Sequence, residues 1–136
     1  MLEKVIFSGF GGQGVLFMGK LLASSCMNDG LHVTWMPSYG AEVRGGTAHS
    51  MVVVSDDAIA SPAIFNPTSV IAMNEPSLLK FEQKIMPGGL LVLNTSLISR
   101  FPSRKDIEVL EIPATDTADK LGSTKVANMV CLGAYC

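Results

Sequence analysis

The sequence predicts an α/β fold in three layers: a mostly parallel but mixed sheet with helices on both faces. Three observations predict it. Short Val- and Ile-rich runs alternate with helical stretches, the pattern of strands covered on both sides. The first apolar run, Val5-Ile6-Phe7, leads directly into Gly9-Phe10-Gly11-Gly12-Gln13-Gly14, a glycine turn placed where a first strand gives way to a first helix. The 136 residues are 48% apolar and only 16% charged, against the usual quarter or so. Such a composition fits a fully covered parallel sheet, and equally a domain with a large partner interface. The length suits a single domain spanning residues 1–136, able to bury about two-thirds of its unfolded surface.

The elements follow in order. A strand over residues 3–8 precedes a helix over 14–28, apolar except for a stripe at Lys20, Ser24 and Asn28 and therefore expected to be covered on most sides. Gly30 stops that helix, and a second strand runs over 32–36. The segment from Pro37 to Thr47 is polar and glycine-rich, and loops of that length in a small domain are usually functional or mobile. A Val-rich strand covers Ala48–Ser55, Asp56-Asp57 reads as a turn, and Ile59–Ser61 as a short return strand, which would make the sheet mixed. A fourth strand at Ser69–Met73 ends in Asn74, and Pro76 suits the first turn of a helix over 76–86. Pro87-Gly88-Gly89 ends it, strands follow at Leu90–Leu93 and Ile107–Ile112, Pro113 opens a helix to Leu121, and a last helix begins near Thr124. The whole is Rossmann-like.

In such a sheet, ligands bind beyond the carboxyl ends of the strands. The glycine turn, the 37–47 loop, Asn74 and Asn94 all follow strands, so they are expected to share one rim. Gly11, Gly12, Gln13 and Gly14 offer backbone N–H groups at a helix start, where an anion is favoured; the alternative is a tight turn that binds nothing. Ordinary NAD binding is disfavoured, because the second strand runs into Pro37-Ser38-Tyr39-Gly40 without the carboxylate that holds a ribose. Arg44, beside Gly45-Gly46, is suited to grip a phosphate or carboxylate, or else pairs with Glu42 on the same side of an extended segment. Gln13 donates to a phosphate or a partner backbone, or satisfies its own turn. Tyr39 stacks on a ring or an interface, or anchors the loop. Glu42 is the one acid near the glycine turns. Asn74 and Asn94 read as caps or turn formers before they read as ligands, and Asn128, within a helix, falls under the same reading.

Other chemistry is excluded. There is no Ser–His–Asp pattern and no paired carboxylate in a polar loop, so no catalytic residue is assigned. The three cysteines, Cys26, Cys131 and Cys136, match no zinc or iron–sulfur spacing, and Cys26 reads as a small buried hydrophobe. His32 and His49 read as packing residues, so no metal site is assigned. A net charge of -2 without a basic cluster argues against nucleic acid. The longest apolar stretch, Val15–Met27, is interrupted by Gly19, Lys20, Ser24 and Ser25 and does not suit a membrane span. The start, Met1-Leu2-Glu3-Lys4, lacks a signal peptide, and the expected location is cytoplasmic.

Gly9-Phe10-Gly11-Gly12-Gln13-Gly14-Val15, followed by Tyr39-Gly40-Ala41-Glu42-Val43-Arg44-Gly45-Gly46, closely resembles the gamma subunit of 2-oxoacid:ferredoxin oxidoreductases. The similarity continues through Ser61-Pro62, Pro87-Gly88-Gly89, Ile112-Pro113-Ala114 and Ala127-Asn128-Met129-Val130-Cys131-Leu132-Gly133-Ala134, nearly the whole chain. The resemblance implies a complex that decarboxylates a 2-oxoacid, with 2-oxoglutarate-type members closest, forms an acyl-coenzyme A and reduces ferredoxin. It implies thiamine diphosphate and iron–sulfur clusters on partner subunits: thiamine-binding alpha and beta subunits and a ferredoxin-like subunit. For this chain it implies assembly contacts and a share in binding coenzyme A, without catalysis alone. It also implies a C-terminal extension of about one helix pair, whose loss would bare Met129, Leu132 and Tyr135. Two other readings stand beside it: a free-standing nucleotide-binding domain, and a purely structural interaction subunit.

Overall fold

The computed structural model describes residues 2–10, 14–38, 48–61, 63–123 and 127–135. Six strands form one sheet: β1 (Leu2–Gly9), β2 (His32–Ser38), β3 (Ala48–Ser55), β4 (Ser69–Ala72), β5 (Leu90–Asn94) and β6 (Glu108–Ile112), in the spatial order β2-β3-β1-β4-β5-β6. The four helices are α1 (Val15–Asn28), α2 (Glu75–Phe81, continued by a 3₁₀ turn at Glu82–Lys84), α3 (Ala114–Lys120) and α4 (Ala127–Tyr135). Strands β1, β4, β5 and β6 run parallel, and β3 lies antiparallel to both β1 and β2.

Side-chain alternation splits the core into two layers. Val5, Phe7, Val52, Val54, Ile71 and Val92 face α1, α3 and α4, meeting Val15, Met18, Ala118 and Cys131. Ile6, Val53, Val70, Leu91 and Leu93 face the other way, toward Leu78, Phe81 and Ile85 of α2 and its continuation. Phe7 and Ile71 are wholly buried, each such side chain contributing about 1.5–3 kcal/mol of transfer free energy. The three-layer, mixed α/β architecture predicted from the alternation is the one observed.

Three details differ from expectation. The sheet is mixed because β3 sits between β1 and β2, not because of a return strand: Ile59–Ser61 is not a strand. There the chain turns at once, the Ser55 hydroxyl accepting the Asp57 N–H at 3.0 Å, and Ile59 satisfies its hydrophobicity by joining the second core layer. Helix α1 is not covered on most sides: Phe17 and Met27 are 55% and 61% exposed. Conversely, Leu132 is buried and Met129 and Tyr135 pack against the first core layer, because α4 lies on α1 and α3.

Helix α1 approaches β2 and β3 closely. At Gly19 a Cβ would collide with the Ser50 hydroxyl and come within 3.0 Å of the Trp35 indole nitrogen. Only glycine permits this spacing, so a helix-weakening residue sits mid-helix for steric reasons.

Candidate functional site

Register places the two glycine segments on one rim. Gly9 at the end of β1 pairs with Ala48 at the start of β3, and Ser38 at the end of β2 pairs with His49. The chain therefore leaves for residues 10–14 and returns from 39–47 on neighbouring strands, at the same end as the C-termini of β4, β5 and β6. This is the end where ligands of open α/β sheets bind. Of the predicted site residues, Gly14 is described; Gly11, Gly12, Gln13, Tyr39, Glu42, Arg44, Gly45 and Gly46 lie outside the described residues.

Gly14 is the N-cap of α1 with φ of 75°, a left-handed conformation that glycine adopts without cost. No side chain caps this helix and its first turn carries no acid. Its start is nonetheless held rigidly, because the buried Ser50 hydroxyl donates to the Val15 carbonyl at 2.8 Å. Ser50 is two positions into β3, so this bond ties the first candidate segment to the strand that ends the second. A hydroxyl just ahead of the Met-Val-Val-Val run was the sequence signal for it.

Asn74 and Asn94 are structural, as caps. Asn74 Oδ1 accepts the Ser77 N–H at 3.1 Å and also the Ser77 hydroxyl, which in turn accepts from the Ser8 hydroxyl at 2.8 Å. Asn94 Oδ1 accepts the Ala114 N–H at 3.0 Å and the Thr115 N–H at 3.3 Å, while its Nδ2 donates to the Met73 carbonyl and the Thr115 hydroxyl. Both asparagines close a helix start and leave nothing for a guest.

Asn128 is different. It stands in the first turn of α4, 8% exposed, and its amide abuts Gly14: a Cβ there would strike Nδ2 and lie 3.2 Å from Cγ. Its oxygen accepts the Met129 N–H at 2.9 Å.

The remaining titratable groups match their packing roles. His49 is buried with its ring edge-on to Phe81, centroids 5.3 Å apart. Burial pushes the Cys131 thiol up to about 12, which makes it inert at neutral pH. Among the described residues, no group of three or more His, Cys, Asp or Glu is placed to hold a metal. No described helix is long and apolar enough to cross a membrane. A surface hollow at Glu3, Thr68 and Pro87–Leu90 opens at the opposite rim. Its polar groups are engaged within the chain: the Thr68 hydroxyl donates to the Glu3 carboxylate at 2.6 Å.

Comparison with known proteins agrees with this geometry. The family model described as pyruvate ferredoxin/flavodoxin oxidoreductase matches residues 4–136. Ketoisovalerate oxidoreductase subunit VorA of Methanothermobacter thermautotrophicus is 39% identical over 130 residues, 96% of this chain but 27% of that protein. The chain thus spans about a quarter of that relative's length. A keto/oxoacid ferredoxin oxidoreductase gamma subunit from Geobacter sulfurreducens superposes with a TM-score of 0.84 at 29% identity, over 98% of this chain and 75% of its own. A 2-oxoglutarate:ferredoxin oxidoreductase from Magnetococcus marinus, solved with 2-oxoglutarate, coenzyme A and succinyl-CoA bound, gives 0.87 at 27% identity over 98% of this chain and 23% of that one. The same domain thus occurs within longer chains and as a gamma subunit, and the chain belongs to the pyruvate ferredoxin/flavodoxin oxidoreductase family as a domain of the gamma-subunit type.

Proposed function

We propose that this chain serves in a 2-oxoacid:ferredoxin oxidoreductase complex, which oxidatively decarboxylates a 2-oxoacid to an acyl-coenzyme A and reduces ferredoxin. Its share is assembly and the binding of coenzyme A at the C-terminal rim. The carrying observation is the register: Gly9 opposite Ala48 and Ser38 opposite His49 set the departure of the first glycine segment from β1 beside the return of the second into β3, at one end of the sheet. The uncapped start of α1 suits a phosphate oxyanion, and the coenzyme A bound in the Magnetococcus relative supports the choice of ligand. On this reading Gly11, Gly12, Gln13 and Gly14 line one side of the cleft and Tyr39, Glu42, Arg44, Gly45 and Gly46 the other, with Arg44 on a phosphate. Thiamine diphosphate and the iron–sulfur clusters belong to the alpha, beta and ferredoxin-like partners, and among the described residues no group of three or more His, Cys, Asp or Glu is placed to hold a metal. The substrate assigned is 2-oxoglutarate; the ketoisovalerate relative makes a branched 2-oxoacid the second choice.

The test is reconstitution. The chain alone should turn over no 2-oxoacid, and the assembled complex should prefer 2-oxoglutarate over ketoisovalerate and pyruvate. Replacing Arg44 with Ala should raise KM for coenzyme A by about tenfold, the loss of one charge-assisted contact. Turnover by the lone chain, or an Arg44→Ala complex with unaltered coenzyme A kinetics, would refute the assignment.

A further inference from the structure

Trp35, the chain's single tryptophan, sits in β2 and packs against the first core layer. Its indole Nε1 is buried and has no hydrogen-bond partner among the described residues. Ser50 lies diagonally across from it: Pro37 pairs with Ser50 and Trp35 with Val52, so both side chains belong to the face that meets α1. The buried Ser50 hydroxyl spends its proton on the Val15 carbonyl at 2.8 Å, and among the described residues nothing donates to its lone pairs. An unmatched donor and an unmatched acceptor therefore stand close together on a dry face. What they share is Gly19. A Cβ there would strike the Ser50 oxygen and come within 3.0 Å of the indole nitrogen, so that point is too tight for a bridging water as well. A buried N–H without an acceptor is costly. Here a small approach of indole to hydroxyl removes the cost, across a residue with no side chain in the way.

We propose that Ser50 and Trp35 are positioning residues for the coenzyme A rim: the indole N–H closes onto the Ser50 oxygen as coenzyme A binds. Ser50 then grips the first turn of α1 through Val15 and the second half of β2 through Trp35, and fixes the two flanks of the rim against each other. The proposal rests on the reading that this rim receives coenzyme A, and it adds residues that act through others rather than on the ligand. The bond and the ligand favour each other, because each is gained in the same arrangement of α1 against the sheet.

The assembled complex tests this. With fluorotryptophan incorporated in this chain alone, the fluorine resonance reads Trp35 and nothing else. Saturating coenzyme A should move that resonance, and Ser50→Ala should abolish most of the movement. Trp35→Phe keeps an aromatic ring and removes the N–H. Because the lost donor was unmatched, the urea midpoint of the chain should barely move. KM for coenzyme A should nonetheless rise about fivefold, with KM for the 2-oxoacid unmoved. A tryptophan that served only for packing would show the reverse, a lowered midpoint and an unaltered KM for coenzyme A. That result, or a fluorine resonance indifferent to coenzyme A, overturns the coupling. If Arg44→Ala raises the coenzyme A KM while Trp35→Phe does not, the positioning role alone falls; if neither raises it, the assignment of coenzyme A to the rim falls too.

Discussion

One rim of the sheet is finished in two ways. Over β4, β5 and β6 the chain closes its own helix starts. Asn74 caps α2, whose first turn carries Glu75; Asn94 and the Ser96 hydroxyl cap α3, whose first turn carries Asp116. Over β1, β2 and β3 the described residues do none of this: α1 begins at a bare glycine, without a side-chain cap or an acid in its first turn, and the Asn128 amide packs against that glycine. Helix starts must be satisfied by something. On the closed side the satisfying groups are side chains of this domain; on the open side the described residues supply no side-chain cap. The capped side thus forms a closed shoulder, and the uncapped side is where the proposed coenzyme A site lies.

Removing the shoulder should produce the largest effect. Asn94→Ala strips four hydrogen bonds from a fully buried position, so urea unfolding should show a loss of about 2–4 kcal/mol. A loss below ~1 kcal/mol would mean that α3 does not depend on this cap. Asn74→Ala, at a cap with a shorter reach, should cost about 1–2 kcal/mol by the same assay. Converting the open side into a closed one should sharpen the contrast from the other direction. Phe17 is exposed in the first turn of α1, and Phe17→Glu supplies the missing acid. It should stabilise the fold by about 0.3–1 kcal/mol while weakening coenzyme A binding in the complex; stabilisation with unaltered binding would separate the helix start from the ligand.

The smallest effect should come from a clasp on the closed half. Arg104 donates to the Ile85 and Glu82 carbonyls and is held by Asp106, whose pKa is lowered, chiefly by the hydrogen bond from Arg104. A carboxyl with a depressed folded pKa adds stability above its unfolded pKa and loses it as the pH falls through the folded one. Asp106→Asn should therefore flatten the acid limb of the stability–pH curve below the ordinary aspartate range and leave the curve near neutrality with little change of shape. An unaltered acid limb would remove Asp106 from the account.

How much of this could be read beforehand depended on how local each feature was. The cap after β4 was legible, because its Val- and Ile-rich run is followed by Asn74 just before a helix and that cap is a matter of adjacent residues; Asn94 caps α3 from across the sheet edge, and its partners Ala114 and Thr115 lie far along the chain. The glycine at the start of α1, Gly14, was legible from the glycine spacing. The position of β3 was not, because strand order records which edges meet in space, and nothing in Ala48–Ser55 names its neighbours. The apparent return strand at Ile59–Ser61 misled, because one isoleucine after two aspartates satisfies a strand pattern while needing only a place in the core. Ser50 and Asn128 carried weak signals, a hydroxyl in a Val-rich strand and an amide in an apolar helix. Their roles appear only when α1 is laid against β3 and α4.

Strand β3 is paired along its whole length with β1, from Leu2 opposite Ser55 to Gly9 opposite Ala48, and nearly so with β2. Its alignment is thereby set twice over, by partners that owe nothing to the span joining it to β2. The hold of Ser50 on Val15 is consequently set by strand pairing on both sides of β3.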